Sequence, residues 1–323
     1  MKKLSFASNP SPKLLLGALF DKQVSNYDLS KPWLKNREDA FWLSRTAYSL
    51  ELIALWQLKV RSKENLVICL PDYFCNDALE PLRKLNVKLV FYLIDCNNLV
   101  DISELEKICV KEPPDIIIQV HFFGNPLITS PLQDLSKKYN ALFVEDAAHA
   151  LRASDDVGCQ GDCVLYSPHK HFPIRDGAVL VVRKSGPSQL GSNKDSLVIL
   201  NSLYDDFSKV NKSVFFLDAL WILKRMIQYL GYKKPVKSGP IKKEIEKVVT
   251  QKLPPRFMSK LSRKLLGKLV FKIDKLADKR VENMQLWQSV LPDALLTANP
   301  LQKKTTHDPY LAMFSINETR VPT

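Results

Sequence analysis

Phe143-Val144-Glu145-Asp146-Ala147-Ala148-His149-Ala150 decides how the rest of the chain is read. An apolar run ends in two adjacent carboxylates and passes at once into small residues. That is the profile of a buried strand whose far end opens on a site. Working outward, β-rich runs recur at 66–70, 88–94, 115–121, 141–145, 163–166 and 178–182. Helix-period patterns lie between them at 46–60, 76–85, 102–110 and 131–139. Several of the β-rich runs are apolar almost throughout, as strands covered on both faces must be. The alternation predicts an α/β fold: a three-layer large domain on a mostly parallel sheet with helices on both sides. In such sheets the functional groups gather at the carboxyl ends of strands, which is where Glu145 and Asp146 stand.

The chain has 323 residues and is 46% hydrophobic, enough for one large domain and part of a second. No window offers the roughly 18 uncharged apolar residues of a membrane span. The apolar stretch 214–223 is short and contains Asp218, which predicts a buried helix. Pro10, Pro12 and Lys13 interrupt the stretch after the two N-terminal lysines, which argues against a signal peptide. Six cysteines occur with no zinc-like CxxC pair, so no metal site is expected, and reduced thiols point to the cytoplasm. The net charge of +13 is concentrated. Between Lys233 and Arg280 there are 16 Lys+Arg against 4 Asp+Glu, a net of +12, so the pI says little about the rest.

Beyond the Glu145-Asp146 pair, three further segments carry chemistry. An isolated acidic pair at a strand end is most simply a cap for the next turn. A buried carboxylate there can equally hold a protonated ring nitrogen. Tyr166-Ser167-Pro168-His169-Lys170-His171 comes next, in a loop between two predicted strands. By itself it reads as a solvated basic turn or an anion patch. Beside the Asp146 segment it reads as a site, because a lysine among cations deprotonates more readily and can form an imine. Leu43-Ser44-Arg45-Thr46-Ala47 opens a helix, and its free N–H groups attract a phosphate, although most such starts are only caps. Pro71-Asp72-Tyr73-Phe74-Cys75 comes directly after a strand. An aromatic there can stack on a planar ligand, although aromatics at strand ends are more often core.

Taken in this order, the segments resemble the DegT/StrS family of sugar aminotransferases, pyridoxal-phosphate enzymes of fold type I. The likeness runs from about Phe41 to Arg183. It rests on Ser44 to Ala47, on Pro71 and Tyr73, and on Val120, His121, Gly124 and Pro126. It continues through Glu145 to Ala150, Gly161-Asp162, Ser167, Lys170 and Asp176-Gly177. Weaker likeness continues at Arg280 and Asn283. The sequence departs from the family pattern in three places. His149 replaces a glutamine, Ser167 lies three residues before the lysine instead of five, and Ala178 replaces a glycine.

The resemblance implies transfer of an amino group from an amino acid, glutamate above all, to a nucleotide-linked keto-sugar in glycan biosynthesis. Lys170 and Asp146 are the implied catalytic residues, with Lys170 as the Schiff-base lysine. Ser44, Arg45, Thr46, Ala47, Tyr73, Phe74, His149 and Ser167 join them around pyridoxal 5'-phosphate. A homodimer is implied as well. The expected domains are 1–230, a large cofactor-binding domain with an N-terminal segment 1–40, and 231–323, a basic helical linker and an incomplete small α/β domain. Two alternatives stay open. One is a sugar dehydratase or deoxygenase of the same fold, in which a histidine replaces the lysine, because His169 and His171 flank Lys170. The other is a shortened, non-catalytic paralogue.

The remainder is less specific. The polar stretch 185–212, with Gly186, Pro187 and Gly191, predicts a surface loop, and 215–229 a helix. Leu261, Leu265, Leu266, Leu269, Val270, Ile273 and Leu276 recur at helical spacing among lysines. The simplest reading is an apolar face on the large domain and a solvated basic face. Peripheral membrane contact through 256–280 is the alternative. Nucleic acid is not expected, because no aromatics are interleaved and no nucleic-acid fold signature is present.

Overall fold

The computed structural model describes residues 10–20, 24–35, 38–95, 99–209, 214–229 and 255–290. Its centre is a seven-stranded sheet: β1 (Asp39–Leu43), β2 (Leu66–Pro71), β3 (Val87–Tyr92), β4 (Ile116–Val120), β5 (Leu142–Asp146), β6 (Cys163–Tyr166) and β7 (Ala178–Val182). The spatial order is β1-β7-β6-β5-β4-β2-β3. β7 runs antiparallel to both of its neighbours, and the other pairings are parallel. The parallel part arises from the βαβ alternation, because such strands need a helical crossover.

Alternation along each strand sorts the apolar side chains into cores on the two faces. Val144, Leu165, Leu180 and Leu43 enter one core, under the helices Thr46–Val60 and Lys194–Lys209. Val164, Tyr166, Val179, Val181 and Trp42 enter the opposite one, together with Leu15, Leu265 and Leu266. Phe143, Ile117 and Cys69 pack with Leu105 and Leu132 in a third. Fully buried tryptophans pin the layers, and each indole N–H finds an acceptor, as burial of a polar edge demands. Trp56 donates to the Ser196 carbonyl at 2.9 Å and Trp42 to Ser30 Oγ at 2.8 Å.

Four expectations are corrected. The polar stretch 185–212 contains the helix Lys194–Lys209, not only a loop. Leu200, Leu203 and Phe207, at helical spacing among Asp, Ser and Asn, reach the first core. The predicted helix 76–85 is two 3-10 turns, Asn76–Leu79 and Leu82–Lys84, separated by Pro81, whose ring removes an amide donor. β1 was not expected; it starts on a charged Asp39 and takes its place by antiparallel pairing with β7. Helix Val214–Tyr229 is only half buried, with Phe216 at 62% and Leu223 at 54% exposure.

The basic region takes its simpler reading where it is described. Leu261, Leu265, Leu266, Val270 and Ile273 are buried in the core with Trp42 and Val181. That apolar face is therefore occupied by protein and is not available to a bilayer. The Lys233–Pro240 linker and everything from residue 291 onward, where the rest of a small domain was expected, lie outside the described residues.

Candidate active site

The strands β2, β4, β5 and β6 end along one edge, and the loops leaving them enclose a cavity of about 260 Å³. Tyr73, Phe74 and Cys75 reach it from the loop after β2, Val120 and Phe122 from the end of β4, and Asp146, Ala148 and His149 from the end of β5. Lys170 completes it from the loop after β6. Position at the carboxyl ends of parallel strands is the general rule for such sheets.

Glu145 and Asp146 are neighbours that face opposite sides of the sheet. Glu145 is the structural member. Its side chain is fully buried and lies 2.8 Å from His121 Nε2. It also accepts the amides of Gly158, Gln160 and Gly161 at 3.0, 2.7 and 2.6 Å. Burial raises its pKa, but His121 and these amides outweigh burial and hold the carboxyl below its ordinary value. The turn that delivers the amides needs glycine. Gly158 has φ +74°, and a Cβ there would overlap the Tyr166 hydroxyl.

Asp146 is the chemical member. One oxygen accepts the Ala148 amide at 3.0 Å, and the side chain borders the cavity. Burial raises its pKa, opposed by the charge of Lys170 and the Ala148 amide. A desolvated carboxylate gains most from a cation placed against it.

His149 stands on the cavity wall with its tautomer fixed. Its Nδ1 accepts the Phe123 amide at 3.2 Å, so the proton sits on Nε2. The His149 and Phe123 rings lie parallel within 6°, with centroids 5.8 Å apart. Presenting that amide places Phe123 at φ 57°, a left-handed conformation costing roughly 1 kcal/mol for a non-glycine residue. Burial, then the Lys170 charge, push His149 from 6.5 down to about 4.

The sign of this shift gives a test. The unfolded imidazole takes up a proton below about pH 6.5, and the folded one refuses it until about pH 4. Stability is unaffected by this group above that window and falls as the pH drops through it, by about 2 kcal/mol at pH 5. His149→Gln therefore loses less stability between pH 7 and 5 than the parent in thermal melts, and the His149 ring proton signals do not titrate above pH 5.

Of the His169-Lys170-His171 triplet, only Lys170 borders the cavity. His169 Nδ1 lies 2.9 Å from Ser167 Oγ and 3.0 Å from the Gly177 carbonyl. His171 is buried, and its imidazole is pushed well below its ordinary pKa by burial and by nearby Arg280. Ser167, fully buried, thus braces His169 instead of lining the cavity.

Ser44, Arg45, Thr46 and Ala47 do not border the cavity either. They form the start of the helix Thr46–Val60, which has no side-chain cap and no acid in its first turn. The Tyr48 amide donates to the Arg45 carbonyl at 3.1 Å, and no side-chain carboxylate offsets the helix dipole at this end. Ser44 Oγ is buried without a hydrogen-bond partner. The Arg45 guanidinium turns back to the carbonyls of Ser44 and Arg175, at 3.0 and 3.3 Å.

Sequence reasoning thus brought together Tyr73, Phe74, Asp146, His149 and Lys170. It missed Cys75, Phe122 and Ala148 as wall residues, each of which looks like core or spacer in one dimension. It quoted His121 and Glu145 without their pairing. The alternation of a strand, which sends Glu145 and Asp146 to opposite faces, was the available signal.

Residues 47–185 match the model of the DegT/DnrJ/EryC1/StrS aminotransferase family. The UDP-4-amino-4,6-dideoxy-N-acetyl-beta-L-altrosamine transaminase of Campylobacter jejuni is 33% identical over 117 residues, covering 35% of this chain and 31% of that protein. The dTDP-4-amino-4,6-dideoxy-D-glucose transaminase of Shigella dysenteriae is 36% identical over 100 residues, covering 29% of this chain and 27% of that protein. These matches therefore span under a third of each relative's length. Among solved structures, Helicobacter pylori PseC, an aminotransferase involved in pseudoaminic acid biosynthesis, superposes with a TM-score of 0.61 at 17% identity. That superposition covers 96% of this chain and 76% of PseC, and it shows a shared fold.

Proposed function

We infer from the match of residues 47–185 to the DegT/DnrJ/EryC1/StrS aminotransferase family model that the protein is a pyridoxal-phosphate-dependent aminotransferase. It moves an amino group from an amino acid, with glutamate as the donor, to a nucleotide-linked keto-sugar. The observation that carries this reading is that Lys170 and Asp146 stand on the walls of one cavity at the strand ends. The names of two relatives, which are UDP- and dTDP-amino-sugar transaminases, support the substrate class.

The residues present fit the cofactor. Asp146 offers a desolvated carboxylate to a protonated ring nitrogen, and the aromatic rings of Tyr73 and Phe74 border the same cavity. The uncapped start of helix Thr46–Val60 and the unpartnered Ser44 hydroxyl suit a phosphate. When bound, pyridoxal phosphate supplies an electron sink for charge developing on the donor's α-carbon. Lys170 Nζ would hold the cofactor and would take up the proton lost from that carbon. Asp146 keeps the ring nitrogen protonated. His149 borders the same cavity and holds the Phe123 loop by accepting its amide at Nδ1. We place the enzyme in the cytoplasm as a homodimer. The free thiols of Cys69, Cys75, Cys109, Cys159 and Cys163 fit a reducing compartment.

The test is formation of 2-oxoglutarate from glutamate, dependent on a UDP- or dTDP-linked keto-sugar. Asp146→Asn, which keeps the shape but removes the charge, lowers this turnover about 10²–10³-fold. Cofactor-loaded protein that turns over none of these acceptors would overturn the reading and leave the non-catalytic paralogue.

A further inference from the structure

His169 directly precedes Lys170, yet its ring is no part of the cavity wall. Its imidazole instead closes the loop on which Lys170 stands. That loop joins β6 to β7, and its two ends meet at His169. The His169 amide donates to the Gly177 carbonyl at 3.2 Å, and the ring nitrogen Nδ1 lies 3.0 Å from the same oxygen. Nδ1 also lies 2.9 Å from Ser167 Oγ, and the Ser167 carbonyl accepts the Lys170 amide at 2.9 Å. Gly177 is tied down in turn, because its amide donates to the Ser44 carbonyl at 3.0 Å. It sits at φ +143°, a conformation that favours glycine. One ring nitrogen thus links a buried serine to a glycine held at the start of helix Thr46–Val60.

The chemistry of the contact fixes the ring's state. A carbonyl only accepts, so the proton of His169 sits on Nδ1. Burial, and then the charge of Arg45, push this imidazole from 6.5 down to about 3, so the ring stays neutral and Nε2 is bare. The later part of the loop has a different anchor, since Phe172 and Ile174 are buried in the core with Trp42. Lys170 is exposed and belongs to no core cluster, so the hydrogen bonds around it set where its side chain leaves the backbone. We propose that His169 is a positioning residue, whose Nδ1–H staples the loop at Gly177 and thereby directs Lys170 into the cavity. The proposal rests on the reading of Lys170 as the lysine that holds the cofactor. A misplacement of about 1 Å at a reacting group can cost roughly 10²-fold in rate. A catalytic role for His169 fits less well, because its ring does not border the cavity and its N–H is committed to Gly177.

The test compares three substitutions in the full chain. His169→Asn carries an amide N–H at the place of Nδ1, His169→Gln carries one at the place of Nε2, and His169→Ala carries neither. Attachment of pyridoxal phosphate to Lys170 is followed by visible absorbance after rapid mixing. His169→Ala and His169→Gln attach the cofactor roughly 10- to 100-fold more slowly than the parent, and His169→Asn recovers most of the rate. A purely structural role would not separate asparagine from glutamine in this way. The proposal is overturned if alanine leaves the rate at the parent's value, or if asparagine restores it no better than glutamine. Should alanine fail to fold, the comparison of asparagine with glutamine decides. Should the parent attach no cofactor, the reading of Lys170 falls separately, and hydrogen exchange in the cofactor-free chain decides this proposal. The peptide spanning 167–177 then exchanges about tenfold faster in His169→Gln than in the parent, and His169→Asn restores protection. Equal exchange in these three proteins would overturn it.

Discussion

Lys170→Ala abolishes amino transfer, lowering turnover by about 10⁴-fold or more, while leaving the fold intact. The two halves of this expectation have separate grounds. Lys170 is exposed on the cavity wall and belongs to no core cluster, so removing its side chain leaves no cavity in the protein. Yet it is the lysine that borders the cavity holding Asp146, and its charge acts on both Asp146 and His149. Losing it removes the group that holds the cofactor and the base that moves the proton, and general-base catalysis alone contributes roughly 10²–10⁴-fold. A second consequence is local. Without the lysine charge, His149 loses one of the two influences that depress it, so its pKa rises from about 4 towards its ordinary value. Steady-state turnover and histidine titration in the variant check the two consequences independently.

Glu145→Ala is expected to destabilise the cofactor-free protein by about 3–5 kcal/mol. It is the largest stability effect the site predicts. The substitution strips a fully buried His121 of its partner and leaves three loop amides without an acceptor. The thermal midpoint falls by roughly 10 °C. Glu145→Gln, which keeps an acceptor oxygen but no charge, falls between the parent and the alanine variant. Because the folded carboxyl titrates below its ordinary 4.5, the stability it contributes is fully present above that pH. It is lost as the pH falls through the lower folded value, so acid unfolding near that pH is shallower in Glu145→Ala. This window opens at a lower pH than the one set by His149, which opens near 6.5, and a pH series of melts on the two single variants separates them.

What could be read from the sequence was what repeats along it. β6 and β7 begin and end where their apolar runs do, and so does helix Thr46–Val60. That Lys170 and Asp146 border one cavity was legible because two independent motifs pointed to one place. What the sequence hid was whatever depends on three dimensions. β1 is short, and β7 gives it its place through antiparallel pairing. Helix Lys194–Lys209 keeps its few core contacts under a polar composition. Ser167 was expected near the cofactor from the family resemblance, although it lies three residues before the lysine instead of five, and the 3-10 turn Pro168–Lys170 turns it towards His169 instead. The start of helix Thr46–Val60 was read as a phosphate site from composition, and its missing cap agrees with that reading. The inward turn of Arg45 could not be foreseen, because its acceptor on Arg175 lies 130 residues away.

The most direct test of the account is chemical trapping. The full chain is loaded with pyridoxal phosphate, reduced with borohydride, digested, and the modified peptide located by mass spectrometry. The account predicts the cofactor's mass on the peptide containing Lys170, with no labelled peptide in Lys170→Ala. A label on any other lysine, or none at all in the parent protein, would contradict it.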